Sequence, residues 1–174
     1  MVLLADRLVA RARAGRAPDP LRMLVVVDAP IEAVWAVVTD VAFQPEWMAE
    51  MKELVLDPPG RAHVGQRGVA TVRILAFTVG DTVEVTEVVP PRRYAIRHLG
   101  LFKGGGAITL EPGADGTTTT VRWEETLVPP LLPQLGALAQ APILRRIFQA
   151  DLERLGQLVE TGSVETGSVE MSDG

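Results

Sequence analysis

The stretch from Pro142 to Val159 poses the problem that the rest of the chain must solve. Read at about 3.6 residues per turn, Leu144, Ile147, Phe148, Leu152, Leu155, Leu158 and Val159 gather on one side, with Arg145, Arg146, Gln149, Glu153 and Gln157 opposite. A long helix with one dry face has to bury that face against another element. The preceding segments can supply the cover, because from Met51 onward the apolar period changes to two. Lys52 to Asp57, Gly68 to Leu75, Thr78 to Val85, Tyr94 to Leu99, Ala107 to Glu111 and Thr117 to Leu127 read as strands. They are punctuated by Pro58-Pro59-Gly60, Pro90-Pro91, a turn over Leu101 to Gly106, and Asp115-Gly116.

Upstream, Met23 to Val27 is a β-branched apolar run that predicts one more strand. Pro30 then opens a helix whose apolar positions are Ile31, Val34, Trp35 and Val38, and Phe43 to Met48 adds a second short one. A further short helix is expected around Gln134 to Ala141, with the long helix starting at Pro142. The pattern predicts an α+β fold: a curved antiparallel sheet of about seven strands wrapped round a long C-terminal helix, with two short helices after the first strand. Small residues on the concave side (Ala70, Gly104, Gly105, Gly106 and Ala107) leave the helix unable to fill the groove, so a cavity is expected between helix and sheet.

At 174 residues the chain fits one domain, with an arm over 1–20, the domain proper over 21–160 and a tail over 161–174. Without cysteine it has no disulfide, thiol nucleophile or thiolate metal site, and a net charge of −5 with dispersed cations argues against a nucleic-acid binder. No apolar run reaches membrane-spanning length. Met1 to Ala17 lacks the features of a secretory leader, which predicts a cytoplasmic protein. The arm holds Arg7, Arg11, Arg13 and Arg16 against Asp6, with Leu4, Leu8 and Val9 as a loose stripe: a short helix docked on the domain or a frayed arm, the alternative being a segment for an anionic lipid surface. The repeated ETGSV within Glu160 to Glu170 reads as a solvated, disordered acidic tail.

Three segments carry a family resemblance. VVVDAPIEAVWAVVTDVAFQPEWMAEMKEL resembles the opening of SRPBCC (START-like) domains, and PPRRYAIRHL and DGTTTTVRWEETL resemble later strands of the polyketide cyclase/dehydrase-like branch. The likeness spans roughly Leu21 to Val159 and rests mostly on packing and turn positions. It implies a helix-grip fold that encloses an apolar molecule between sheet and last helix. Some members of that superfamily cyclise or aromatise poly-β-keto chains there, and many only bind or carry.

Strand alternation turns four titratable side chains inward: Asp81, His98, Glu125 and Asp151, the last in the middle of the long helix's dry face. Asp151, His98 and Glu125 are candidate acid/base residues, the alternative being internal salt bridges with Arg73, Arg97 or Arg122. Glu124 beside Glu125 leaves a one-residue slip of register open. Val83, Tyr94, Ile96, Ile108, Trp123, Phe148 and Leu155, with Asp81, are the expected ligand lining; Leu99, Leu101 and Phe102, hinged by Gly104, could gate it or simply pack the hairpin. His63 and His98 are the only histidines, and no metal-ligand spacing, phosphate loop or dinucleotide fingerprint occurs, so no cofactor or metal is expected. The function predicted is binding of a small hydrophobic metabolite, lipid- or polyketide-like, in the cavity. The alternatives are a metal-free cyclase/aromatase or dehydratase in which Asp151 and His98 share acid/base duty, and a regulatory or interaction protein. Oligomeric state stays open.

Overall fold

A computed structural model describes residues 1–13, 17–74 and 77–162. Arg16 of the arm, Leu75 at the end of an expected strand and the acidic repeat from residue 163 lie outside the described residues. In chain order the elements are α1 (Val2–Ala12), β1 (Leu21–Val27), α2 (Ile31–Thr39), a 3-10 turn (Val41–Phe43), α3 (Gln44–Trp47), β2 (Met51–Asp57), β3 (Arg67–Ile74), β4 (Phe77–Val89), β5 (Arg93–His98), β6 (Lys103–Pro112), β7 (Thr119–Val128) and α4 (Pro133–Glu160).

All seven strands join one sheet in the order β1-β7-β6-β5-β4-β3-β2, with every neighbouring pair antiparallel. The α2–α3 segment carries the chain from one edge to the other, after which β2 to β7 meander back until β7 pairs with β1. Alternation decides which side faces inward: on β7, Thr119, Val121, Trp123 and Glu125 are buried while Arg122 and Glu124 are exposed, which settles the register in favour of Glu125. Against the inner face lies α4, mostly over β1, burying Leu144, Phe148, Leu152 and Leu155. An aromatic stack closes the middle of the core. Trp47 meets Trp123 edge-on at 6.1 Å between centroids, and Trp123 meets Phe148 at 4.9 Å. This is the α+β helix-grip arrangement.

Two local expectations are corrected. The long helix begins at Pro133, absorbing the expected short helix, and Pro142 lies inside it. Proline there deletes one backbone bond and costs about 3 kcal/mol. The buried stripe from Ala137 through Leu144 and Phe148 nevertheless continues in phase across it, and Pro142 itself points to solvent, so burial carries the helix through. Gly104, Gly105 and Gly106 are not a turn but part of β6, paired with β5 and β7; only Leu99 to Phe102 make the turn. Glycines suit that stretch of strand because neighbouring groups approach too closely for a side chain.

The start of α4 is held by a distant residue. Leu132 before it gives no side-chain cap, and instead Asp6 of α1 accepts from Gln134 N at 3.0 Å and Leu135 N at 2.9 Å. A carboxylate at a helix N-terminus satisfies otherwise unpaired donors and complements the dipole.

Candidate functional site

The inner face of β4 to β7 holds a chain of polar groups. His98 on β5 places Nδ1 2.6 Å from Asp81 Oδ2 on β4 and Nε2 3.0 Å from Glu125 Oε1 on β7, while Trp123 Nε1 donates to Glu125 Oε2 at 3.1 Å. Strands β5 and β7 are not neighbours; β6 runs between them, so their backbones stand roughly 10 Å apart. His98 and Glu125 can meet because the β6 residues they straddle are Gly104, paired with His98, and Gly106, paired with Glu125. A Cβ on Gly106 would collide with Glu125 Oε2, and one on Gly100 with Asp81 Oδ1. Both carboxylates therefore occupy room that missing side chains create. These positions explain the glycines better than a hinge does.

A neutral imidazole has one N–H to donate, and here both ring nitrogens face carboxyl oxygens. Burial alone pulls the His98 pKa down, but the hydrogen bonds and charges of Glu125 and then Asp81 outweigh it and leave it raised above 6.5. The two buried acids thus favour the imidazolium form of His98. Asp81 Oδ1, also buried, has no hydrogen-bond partner among the described residues.

Glu125 reaches one more feature. A cavity of about 190 Å³ opens where the arm (Arg13, Pro18, Asp19), the start of β1 (Leu21), the end of β7 (Glu125, Leu127) and the first half of α4 (Leu138, Gln140, Ala141, Arg145) come together. By volume that is room for about one aromatic ring, in an open cavity whose lining mixes apolar residues with Arg13, Asp19, Glu125, Gln140 and Arg145. Of the residues expected at the site, Glu125 borders this cavity. Tyr94, Ile108, Trp123, Phe148 and Leu155 are packed together in the core instead, with Ile96 half-buried against them, and Val83 is buried on β4. Leu99, Leu101 and Phe102 form the β5–β6 turn, whose carbonyls at Leu99 and Gly100 accept from Lys103 Nζ. None of these gate or lining candidates is among the described residues bordering the cavity.

Asp151 belongs to a different cluster. It is 1% exposed, its Oδ1 accepts from Ala49 N at 3.0 Å and from Arg154 Nη1 at 3.3 Å, and Arg154 also donates to Trp47 O. Its partner in burial is Glu50, which sequence reading missed. Burial, together with the hydrogen bond to Asp151 and its charge, pushes the Glu50 pKa up to about 8. Oε2 of Glu50 and Oδ2 of Asp151 have no donor among the described residues; a proton kept on Glu50 and given to Asp151 satisfies both. Asp151 thus fastens α4 to the segment after α3, and the hydrogen bonds of His98 run to Asp81 and Glu125 rather than to it. Buried Tyr94, with no partner for its hydroxyl among the described residues, has its pKa pushed up to about 12 by desolvation.

A family model described as polyketide cyclase/dehydrase and lipid transport matches residues 21–160. The chain belongs to this family. No curated protein matches this cyclase/dehydrase family member by sequence. Among solved structures it is similar to the Zhui aromatase/cyclase from Streptomyces sp. R1128, with TM-score 0.70 and 18% identity over 86% of this chain and 98% of that one. A protein from Deinococcus radiodurans gives TM-score 0.61 and 22% identity over 82% of this chain and 98% of its own. A protein of the dynemicin biosynthetic locus gives TM-score 0.61 and 24% identity, covering 83% of this chain and 48% of that chain. At these identities the likeness establishes the helix-grip fold that the family member shares with them. Among its described residues no three histidine or acidic groups are placed to hold a metal ion, and no helix is long and apolar enough to cross a membrane.

Proposed function

We propose that the protein binds a small, largely apolar metabolite, one aromatic ring or the end of a lipid- or polyketide-like chain in size, in the cavity beside Glu125. The observation that carries this reading is that Glu125 is at once a wall of the cavity and a direct hydrogen-bond partner of His98. Leu21, Leu127, Leu138 and Ala141 offer apolar surface, while Glu125, kept oriented by His98 and Trp123, offers an acceptor to a hydroxyl or enol. A cavity of about 190 Å³ is below the usual 300–1,000 Å³ of sites that swallow a whole drug-sized ligand, so a longer molecule would leave part of itself outside. Membership of a cyclase/dehydrase and lipid-transport family agrees with this reading.

Titration calorimetry and native mass spectrometry with fatty acids, single-ring phenols and aromatic polyketides test it. At least one class should bind, with affinity reduced about tenfold or more in Glu125→Gln and abolished in Ala141→Trp, which fills the cavity. Absence of binding throughout, or binding that ignores Ala141→Trp, would refute the assignment.

The imidazolium between two carboxyl groups favours one second reading, a metal-free cyclase or dehydratase. Because Asp151 is engaged elsewhere, Glu125 would be the base, with His98 holding it in place: Glu125 takes a proton from a carbon flanked by carbonyls, the enolate attacks a carbonyl further along the chain, and the alkoxide formed takes that proton back from Glu125. Turnover of a poly-β-keto thioester lost in both His98→Gln and Glu125→Gln would support it. Full turnover in either variant would exclude it.

A further inference from the structure

Helix α1 combines exposed leucines with exposed arginines on one face. It packs on α4 through the side bearing Asp6, Val9 and Ala10, and Asp6, its sole acid, is consumed in capping α4. The opposite side is bare. Leu3 is 72% exposed, Leu4 62% and Leu8 58%, and Arg7 and Arg11 are exposed between them. At about 100° per residue Arg7, Arg11, Leu4 and Leu8 fall within one outward arc, so the helix shows solvent leucines and cations and no carboxylate. Single exposed leucines are ordinary, but several on one short helix flanked by arginines form a surface that needs a cover.

We infer that the outer face of α1 docks on an anionic lipid surface. Charge selects this occupant. The chain carries a net −5, so an anionic bilayer repels the molecule as a whole and attracts it through this cationic face. A second copy is a poor alternative, since a two-fold contact through α1 would set Arg7 and Arg11 against their own equivalents. Docked this way, α1 lies in the interface plane with Leu4 and Leu8 among the acyl chains and Arg7 and Arg11 at the phosphates. Arg13, just past the end of α1, borders the cavity. The inference stands on α1 alone and does not require the ligand assignment above.

Co-sedimentation of the full chain with vesicles tests it, using phosphatidylcholine alone and phosphatidylcholine mixed with phosphatidylglycerol. Binding is expected to the mixed vesicles only, to fall several-fold between low and physiological salt, and to drop about tenfold or more in Leu4→Gln/Leu8→Gln. Arg7→Gln/Arg11→Gln, which leaves the leucines in place, should lose the preference for phosphatidylglycerol. Thermal melting of each variant shows whether the domain is intact, and the arginine pair decides the matter if the leucine pair disturbs folding. No binding to the mixed vesicles, equal binding to both kinds, or binding indifferent to both pairs overturns the inference, as does concentration-dependent dimerisation that the leucine substitutions abolish. Vesicle binding without any metabolite binding would sink the cavity assignment and leave this one standing.

Discussion

Two buried acidic clusters solve the same electrostatic problem in opposite ways. On the sheet, Asp81 and Glu125 surround a histidine and share its positive charge; under α4, Glu50 and Asp151 face each other with only Arg154 at the edge, and Glu50 keeps its proton. A central cation lets two carboxyl groups stay where water is scarce. Without one, neutralisation by a proton is the cheaper answer. The first cluster abuts a cavity and the second fastens a helix, which is why we place chemistry or ligand contact at the first.

The comparison can be broken most forcefully at His98. Replacing it with alanine leaves two buried acids without the group that lies between them, and we expect a loss of about 3–5 kcal/mol in chemical denaturation at pH 7. A loss below about 1 kcal/mol would mean that His98 does not hold the pair together. Next in size is Glu50→Gln, which needs no shared proton. Glu50 has its folded pKa at about 8 against an ordinary 4.5, so between those values the unfolded chain releases a proton that the folded one keeps, and stability falls as pH rises through that window. The variant should therefore gain about 1–3 kcal/mol over the parent at pH 8, a gain that shrinks towards pH 4.5. Equal pH profiles for the two proteins would remove the proposed shared proton.

A smaller effect separates the clusters by titration. The raised His98 pKa means that its stabilising proton is fully present below 6.5 and is lost as pH climbs through the higher folded value. Its ring resonances should titrate above 6.5, and Glu125→Gln should move them downward, whereas Asp151→Asn should not. The smallest effect concerns Asp6, a fifth buried acid outside both clusters, whose partners are backbone N–H groups. Asp6→Ala should cost about 1 kcal/mol and speed amide exchange at Gln134 and Leu135 while leaving the first two clusters unmoved.

Much of this architecture is legible in the residues, because strands and an amphipathic helix are local periodicities. Val121, Trp123 and Glu125 share a face by simple alternation, and the same count places Asp81 and His98 inside. What alternation cannot give is which inward residues touch. His98 finds Glu125 across β6 only because glycines sit between them, and Asp151 turns to Glu50 because the link after α3 passes beneath α4, a path without any repeat. Glu50, in a non-periodic stretch between Ala49 and Met51, carries no signal beyond its apolar company. Pro142 misleads for a related reason: its local preference for a first turn is overridden by the packing of Leu144 and Phe148 on the sheet.

The cap on α4 has a practical corollary. Asp6 stands 128 positions before the amide it serves, on the far side of the boundary at residue 21 where the family match begins. Trimming a recombinant version to that boundary would unpin the opening turn of the last helix and with it one wall of the hollow next to Glu125. The shortest fragment that behaves like the whole therefore has to keep its leading segment.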